Sequence, residues 1–414
     1  MNKKPKHLTA LALSAVFTLG TGFTAGNVAL AQGKPTVSAA AAKPLKAAQD
    51  AMKAGKYQDM IARLKEVQAL PDKSAYDTHL MNEMFAFAYT KTNQFGEAAK
   101  VLEADLNSGF VTGAEAQKRA RQLLQLQYQV KNYDKVIELG NRAIKEGYAD
   151  DQTYTLVGQA MYLKGDHKGS AKFLETYVNS QIKAGRKPKE QLLVLVQNSC
   201  DKIDDSECLT RVLERLVSYY PKAQYWQGLV NAMYKTQSGQ TDWQLLQVYR
   251  LASAVDVLSR PNDYTEFAQL ALERGSPGEA QAVLEKGFEK KIFTEARDQD
   301  RNKRLLESAK KQAAAKQAEL DKAAAAAAAA TDGQQDISVG MAYFGYQQYD
   351  KAAQAIQRGL AKPGVANPAD ARLLLGIAEL EAGRKEEARK AFKQVKGDPA
   401  LERLANLWTL HTQA

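Results

Sequence analysis

Apolar residues recur at intervals of three and four along most of the chain, and short polar turns interrupt them at regular distances. The segments AMKAGKYQDMIARLKEV, AYTKTNQFGEAAKVLEA, YFGYQQYDKAAQAIQRGL and LEAGRKEEARKAFKQV each join two such stretches. A small or apolar residue stands three positions after the turn's anchor and a larger one four beyond that: Ala98 and Leu102 after Phe95, Ala352 and Ile356 after Tyr349. This spacing predicts pairs of antiparallel helices and an all-α chain. A lone pair cannot bury its apolar face, so successive pairs are expected to stack around one shared core.

The anchors Tyr57, Phe95, Tyr133 and His167 lie 38, 38 and 34 residues apart. First helices carry Phe85, Ala86 and Tyr89, then Tyr154, Val157, Gly158 and Met161, then Tyr264, Phe267, Ala268 and Ala271. Second helices answer with Ser170 and Leu174, with Ala280 and Leu284, and with Ala388 and Phe392 opposite Leu375 and Gly376. On these residues the chain resembles the tetratricopeptide repeat family, whose unit is about 34 residues long. The resemblance implies a right-handed α-solenoid of helix hairpins, small residues where helices cross, and partners held on a concave face lined by first helices. Gln127 departs from the pattern, standing where the third repeat should have a core residue.

Residues 1–31 read as a secretory signal peptide: Lys3, Lys4 and Lys6 precede the mostly apolar LTALALSAVFTLGTGFTAG, and Ala29-Leu30-Ala31 offers a cleavage site before Gln32. Residues 32–41 are expected to be a flexible leader and 42–290 an N-terminal array. Residues 291–335 form an Ala-rich helical insert or a degenerate hairpin, and 336–414 two further repeats with a terminal capping helix. The insert is rich in good helix formers, and Thr331-Asp332-Gly333 supplies a stop. No later run approaches the ~20 apolar residues of a membrane span. The mature protein is therefore expected in the periplasm or secreted. Losing the leader lowers the formal charge of +10 by three lysines, and the mild excess that remains is spread out. That argues against a nucleic-acid partner and for tolerance of anionic envelope surfaces.

Both cysteines lie in QNSCDKIDDSEC, residues 197 to 208. Aligning Pro221 with the family's terminal proline puts Cys200 near the end of a first helix and Cys208 at the start of the second. A disulfide is the expected state in an oxidising compartment, with a free buried pair as the alternative. A zinc site needs about four ligands, and none of His7, His79, His167 and His411 is near in sequence. The spacing is not CxxC, and DKIDDSE lacks the ligand order of a calcium loop.

No Walker loop, nucleophile elbow, H-E-x-x-H or glycine-rich dinucleotide turn occurs. No catalytic residue, metal or cofactor is expected, and His79 and His167 are assigned turn or surface roles. One inward position of the first helices recurs as Gln49, Phe87, Gln125, Gln159, Asn198, Asn231, Gln269, Met341 and Ile377, and three residues on stand Tyr128, Tyr162 and Tyr234. Amides both donate and accept, and tyrosine joins a rigid apolar body to a polar tip. Gln125, Tyr128, Gln159, Tyr162, Asn198, Asn231, Tyr234 and Gln269 are thus the candidate surface for a protein or peptide partner. The other reading is a hydrophilic wall whose tyrosines pack between repeats. The Lys/Asn/Arg set of the family's carboxylate-clamp subclass is not matched. Toward the C-terminus Met341, Phe344, Ile377 and Leu380 are expected either to lie under the final helix or to dock a partner's apolar helix.

The function expected is a non-catalytic exported scaffold for protein–protein interaction in the bacterial envelope. The block from YYPKAQYWQGLVNAMY to AVLEKGF also resembles exported repeat proteins associated with TonB-type systems, which implies an envelope complex as partner. The competing expectations are a peptidoglycan- or glycan-binding helper and an envelope enzyme with a lytic-transglycosylase-like superhelix.

Overall fold

A computed structural model describes residues 35–235 and 241–413, which leaves the expected signal peptide outside the described residues. Helices and turns account for the structure, with no strand among the described residues. Two compact units meet in sequence between Asn132 and Tyr133, inside the array expected over 42–290. The first holds α1 (Ala39–Lys53), α2 (Tyr57–Gln68), α3 (Ala75–Lys91), α4 (Phe95–Leu106) and α5 (Gly113–Gln129). The second opens with α6 (Tyr133–Lys145), α7 (Asp151–Leu163), α8 (His167–Lys183), α9 (Glu190–Lys202), α10 (Ser206–Tyr219), α11 (Ala223–Lys235) and α12 (Asp242–Ala254). It continues through α13 (Pro261–Glu273), α14 (Pro277–Glu289), α15 (Ala296–Ala329), α16 (Gly333–Gly345), α17 (Tyr349–Leu360), α18 (Pro368–Glu381), α19 (Lys385–Lys393) and α20 (Pro399–His411). The first helix begins at Ala39, within the segment expected as a leader.

Seven of the hairpins close in the same way. A residue in the left-handed region stands two positions before the second helix: Gly55 and Asn93 in the first unit, and Gly165, Asp204, Gly275, Gln347 and Gly383 in the second. The next amide then bonds back to the last turn of the first helix, as Gln94 N does to Tyr89 O at 2.8 Å and Gln348 N to Tyr343 O at 2.9 Å. This explains the anchors, because the chain can re-enter a helix only after that reversal. Gln347 holds φ at 58° with an exposed side chain that has a Cβ to accommodate. Gln347→Gly is expected to raise stability by about 0.5–1 kcal/mol, read as a higher thermal midpoint.

Small residues let the paired helices touch. A Cβ added at Gly158 would stand 2.7 Å from the Leu174 side chain, and one at Gly340 would stand 2.5 Å from Ile356. Ser170 Oγ donates to the Gly158 carbonyl at 2.9 Å and Ser199 Oγ donates to Ser170 Oγ at 3.1 Å, linking α7, α8 and α9 through three small residues. The anomalous Gln127 is buried, and its Oε1 accepts from Asn132 Nδ2 at 3.0 Å. Cys200 and Cys208 are joined as a disulfide with Cα atoms 5.6 Å apart, tying the end of α9 to the start of α10. Apolar side chains form one cluster in the first unit, from Ala41 to Ala88, and one in the second, from Tyr162 to Trp408.

The Ala-rich insert is a single helix of 34 residues, α15, and not a hairpin. Asn302, Ala309, Ala313, Leu320 and Ala327 form its buried stripe. A single helix between hairpins reverses the alternation that follows it. α15 joins α13 and α17, while α16 packs beside α14 and α18 beside α16. The final helix, α20, packs on α18 and α19 and also reaches α12 and α10. Within the second unit α14, α16, α18 and α20 therefore form a layer that returns to α12 and α10.

Candidate interaction surface

α10 reads SECLTRVLERLVSY, and its buried face is Cys208, Val212, Leu213, Leu216 and Val217. That leaves Arg211, Glu214, Arg215 and Ser218 on the other side. α20 starts at the N-cap Asp398, whose carboxylate accepts from Ala400 N and Leu401 N, with Pro399 in its first turn. Leu401, Leu404, Ala405, Leu407 and Trp408 are buried, and Glu402, Arg403 and Asn406 point away. The two outward faces confront each other across a trough of about 690 Å³, with Ile182 of α8 at its edge. Arg403 Nε donates to Glu214 across it. Glu402 accepts from Gly397 N at 3.0 Å and from Lys396 Nζ at 3.1 Å, and Lys396 and then the amide hold its carboxyl below the ordinary value.

The layer closes on a buried polar cluster. Arg250 of α12 is 4% exposed and grips Glu279 of α14 through Nε and Nη2, both at 2.8 Å. Its guanidinium carbon lies 5.2 Å from the Phe344 ring centre. Gln247 Nε2 donates to Asp370 Oδ1 of α18 at 2.7 Å, and Gln244 Nε2 to Asp398 at 3.0 Å. Burial pushes the Asp370 carboxyl above its ordinary value, against the pull of Arg250 and Gln247. A folded-state pKa raised above 3.8 favours the protonated fold, so this contribution is present below 3.8 and is lost as pH rises through the raised value. Asp370→Asn is expected to flatten that acid-range dependence, seen by comparing thermal midpoints of the two proteins across acidic pH.

The surface expected on first helices is distributed differently. In the first unit Gln125 and Tyr128 are half-buried on α5. In the second, Tyr162 is 9% exposed and packs against His167 with ring centres 4.6 Å apart. Tyr234 lies 5.2 Å from the Tyr249 ring; its hydroxyl is buried without a hydrogen-bond partner among the described residues, and burial raises its pKa. Both tyrosines act as packing between helices. Gln159 and Asn198 are half-buried, and Asn231 and Gln269 are exposed. None of these six lines the trough between α10 and α20. Met341, Phe344 and Ile377 are buried and Leu380 is half-buried.

His79 is not at a turn or on the surface. From the second turn of α3 its Nδ1 lies 2.7 Å from Oδ1 of the fully buried Asp105, and its ring stacks on Phe110 at 5.1 Å. Arg119 Nη1 donates to Asp105 Oδ2 at 2.6 Å, Nη2 to Glu83, and Nε to Glu115 at 3.1 Å. His79, Glu83 and Asp105 bring ligand atoms within 4.8 Å of one another. The cation at this place is the guanidinium, which already engages both carboxylates. The i, i+4 pair His79 and Glu83 was visible in the sequence, but Arg119, 36 positions beyond Glu83, carried no local signal.

No family model and no curated protein sequence matches this chain. Solved structures similar to it include a tetratricopeptide repeat protein from Parabacteroides merdae, 11% identical over 91% of this chain and 100% of that one, with a TM-score of 0.33. Another is Naa15/Naa10 bound to HypK-THB, 15% identical over 90% of this chain with a TM-score of 0.31; the present chain spans 60% of that one's length. A third is the TPR2AB-domain:pHSP90 complex of yeast Sti1, 11% identical over 73% of this chain and 100% of that one, with a TM-score of 0.26. Helix hairpins closed by left-handed turns and touching through glycine and serine make the chain itself an all-α helical-repeat protein.

Proposed function

We propose that the protein is a non-catalytic helical-repeat scaffold that binds a protein partner in the bacterial cell envelope. The observation that carries this reading is the trough between α10 and α20, which two helices line with facing stripes of mixed apolar and charged side chains. The exposed amides of Asn231 and Gln269 offer secondary contacts. The charged, then apolar, then small-residue order of the N-terminus and the Cys200–Cys208 bond both support export to an oxidising compartment.

The test is a photo-crosslinking residue at Asn406, on the trough wall, and another at Asn231, used in intact cells. A discrete protein adduct at either site is the expected result, and its identity decides whether a TonB-type complex is the partner. Release of the chain by osmotic shock is expected if it is periplasmic. Adducts only to peptidoglycan fragments would favour the glycan-binding helper, and muramidase turnover by the purified protein would remove the scaffold reading.

A further inference from the structure

We propose that the trough between α10 and α20 seats an amphipathic helix of a partner protein whose apolar stripe is flanked by carboxylates; this rests on the scaffold reading and specifies the partner's chemistry. The lining has donors to spare and acceptors already in use. Arg403 uses only Nε, on Glu214. Arg215 reaches Asn179 Oδ1 at 2.8 Å and Glu175 at 3.4 Å. Arg211, with a side chain 47% exposed, has only ion pairs at 3.6 Å to Glu175 and 3.8 Å to Glu207, both too long for a hydrogen bond. An arginine offers five N–H donors. The lining carboxylates, by contrast, are engaged: Glu214 by Arg403, and Glu402 by Gly397 and Lys396. A ligand must therefore bring anionic acceptors.

It must also bring apolar surface, because the half-buried Ile182, Tyr219 and Leu410 line the same trough. A small anion would leave these uncovered. A helix presents both at i, i+3 and i+4 spacing. The walls suit it, since Arg211, Glu214, Arg215 and Ser218 form one face of α10, and Pro399 to Leu410 span three turns of α20, roughly 16 Å at 1.5 Å per residue. Two such ridges leave a groove for the ridge of a third helix.

The probe is a fluorescein-labelled helical peptide with leucines at i, i+4 and i+7 flanked by glutamates, titrated into the full chain and followed by anisotropy. The expected result is saturable binding that weakens as salt is raised. A roughly tenfold loss is expected in Arg211→Glu, about the effect of 1.4 kcal/mol. Arg211 is exposed, so an unchanged thermal midpoint will show that the variant folds; Leu410→Ala, which removes apolar lining without changing charge, is expected to weaken binding in the same direction. The lysine-for-glutamate peptide and a peptide broken by a central proline are expected not to bind. No binding of the glutamate peptide, equal binding of either control, or unchanged affinity in Arg211→Glu would each overturn the proposal. Self-association abolished by Arg211→Glu would assign the trough to a second copy and also overturn it. If the peptide fails while the crosslinker at Asn231 still captures a protein, the seat is wrong and the scaffold reading stands.

Discussion

Arg250→Met is expected to lower the stability of the second unit by about 3–5 kcal/mol, because it leaves the Glu279 carboxylate buried without its counter-charge. Methionine fills much of the space against Phe344 but offers no donor. Replacing both members, Arg250→Met with Glu279→Met, is expected to recover most of that loss, since two apolar side chains leave no desolvated charge behind. Urea unfolding followed by tryptophan fluorescence reads the effect, because Trp226, Trp243 and Trp408 all belong to this unit. A double variant no more stable than the single one would show that the pair does more than neutralise itself. The pair also lies where the returning layer meets, so its loss is expected to loosen the neighbouring α12–α18 link through Gln247 and Asp370.

The second large effect belongs to the first unit. Arg119→Met strips Asp105, 0% exposed, of the guanidinium bound to it and unties Glu83 and Glu115 as well. A loss of about 3–5 kcal/mol is expected. Since this unit contains no tryptophan, far-ultraviolet circular dichroism should report the loss while tryptophan fluorescence changes little. A drop below 1 kcal/mol would show that the guanidinium is not what holds this cluster together. Adding Asp105→Asn to Arg119→Met is expected to restore part of the stability, because a neutral amide is cheaper to desolvate than a carboxylate.

Hairpin periodicity was legible because it is local. Helix pairing depends on contacts a few residues apart, and the small-residue positions Gly158, Ser170 and Gly340 are read from spacing alone. The disulfide was legible for the same reason, since eight positions separate its cysteines across one turn. Gln127 stands out as a departure, but its bond to Asn132 is set by the turn that follows α5. The expected partner surface followed from extending one register down the whole chain. Composition does not decide between one helix and two for α15, because a long alanine-rich stretch suits both outcomes.

The order of helix and turn, the touching points within each hairpin and the cysteine bridge were written in the sequence, because each depends on residues near one another along the chain. The sides on which later helices lie, the return of α20 to α10 and the trough left between them were decided only by tertiary packing. So were the ion clusters around Arg119 and Arg250. A buried charge needs a partner from wherever the fold supplies one, and the residues that meet there, such as Arg403 and Glu214 at 189 positions apart, have no shared local pattern to announce them.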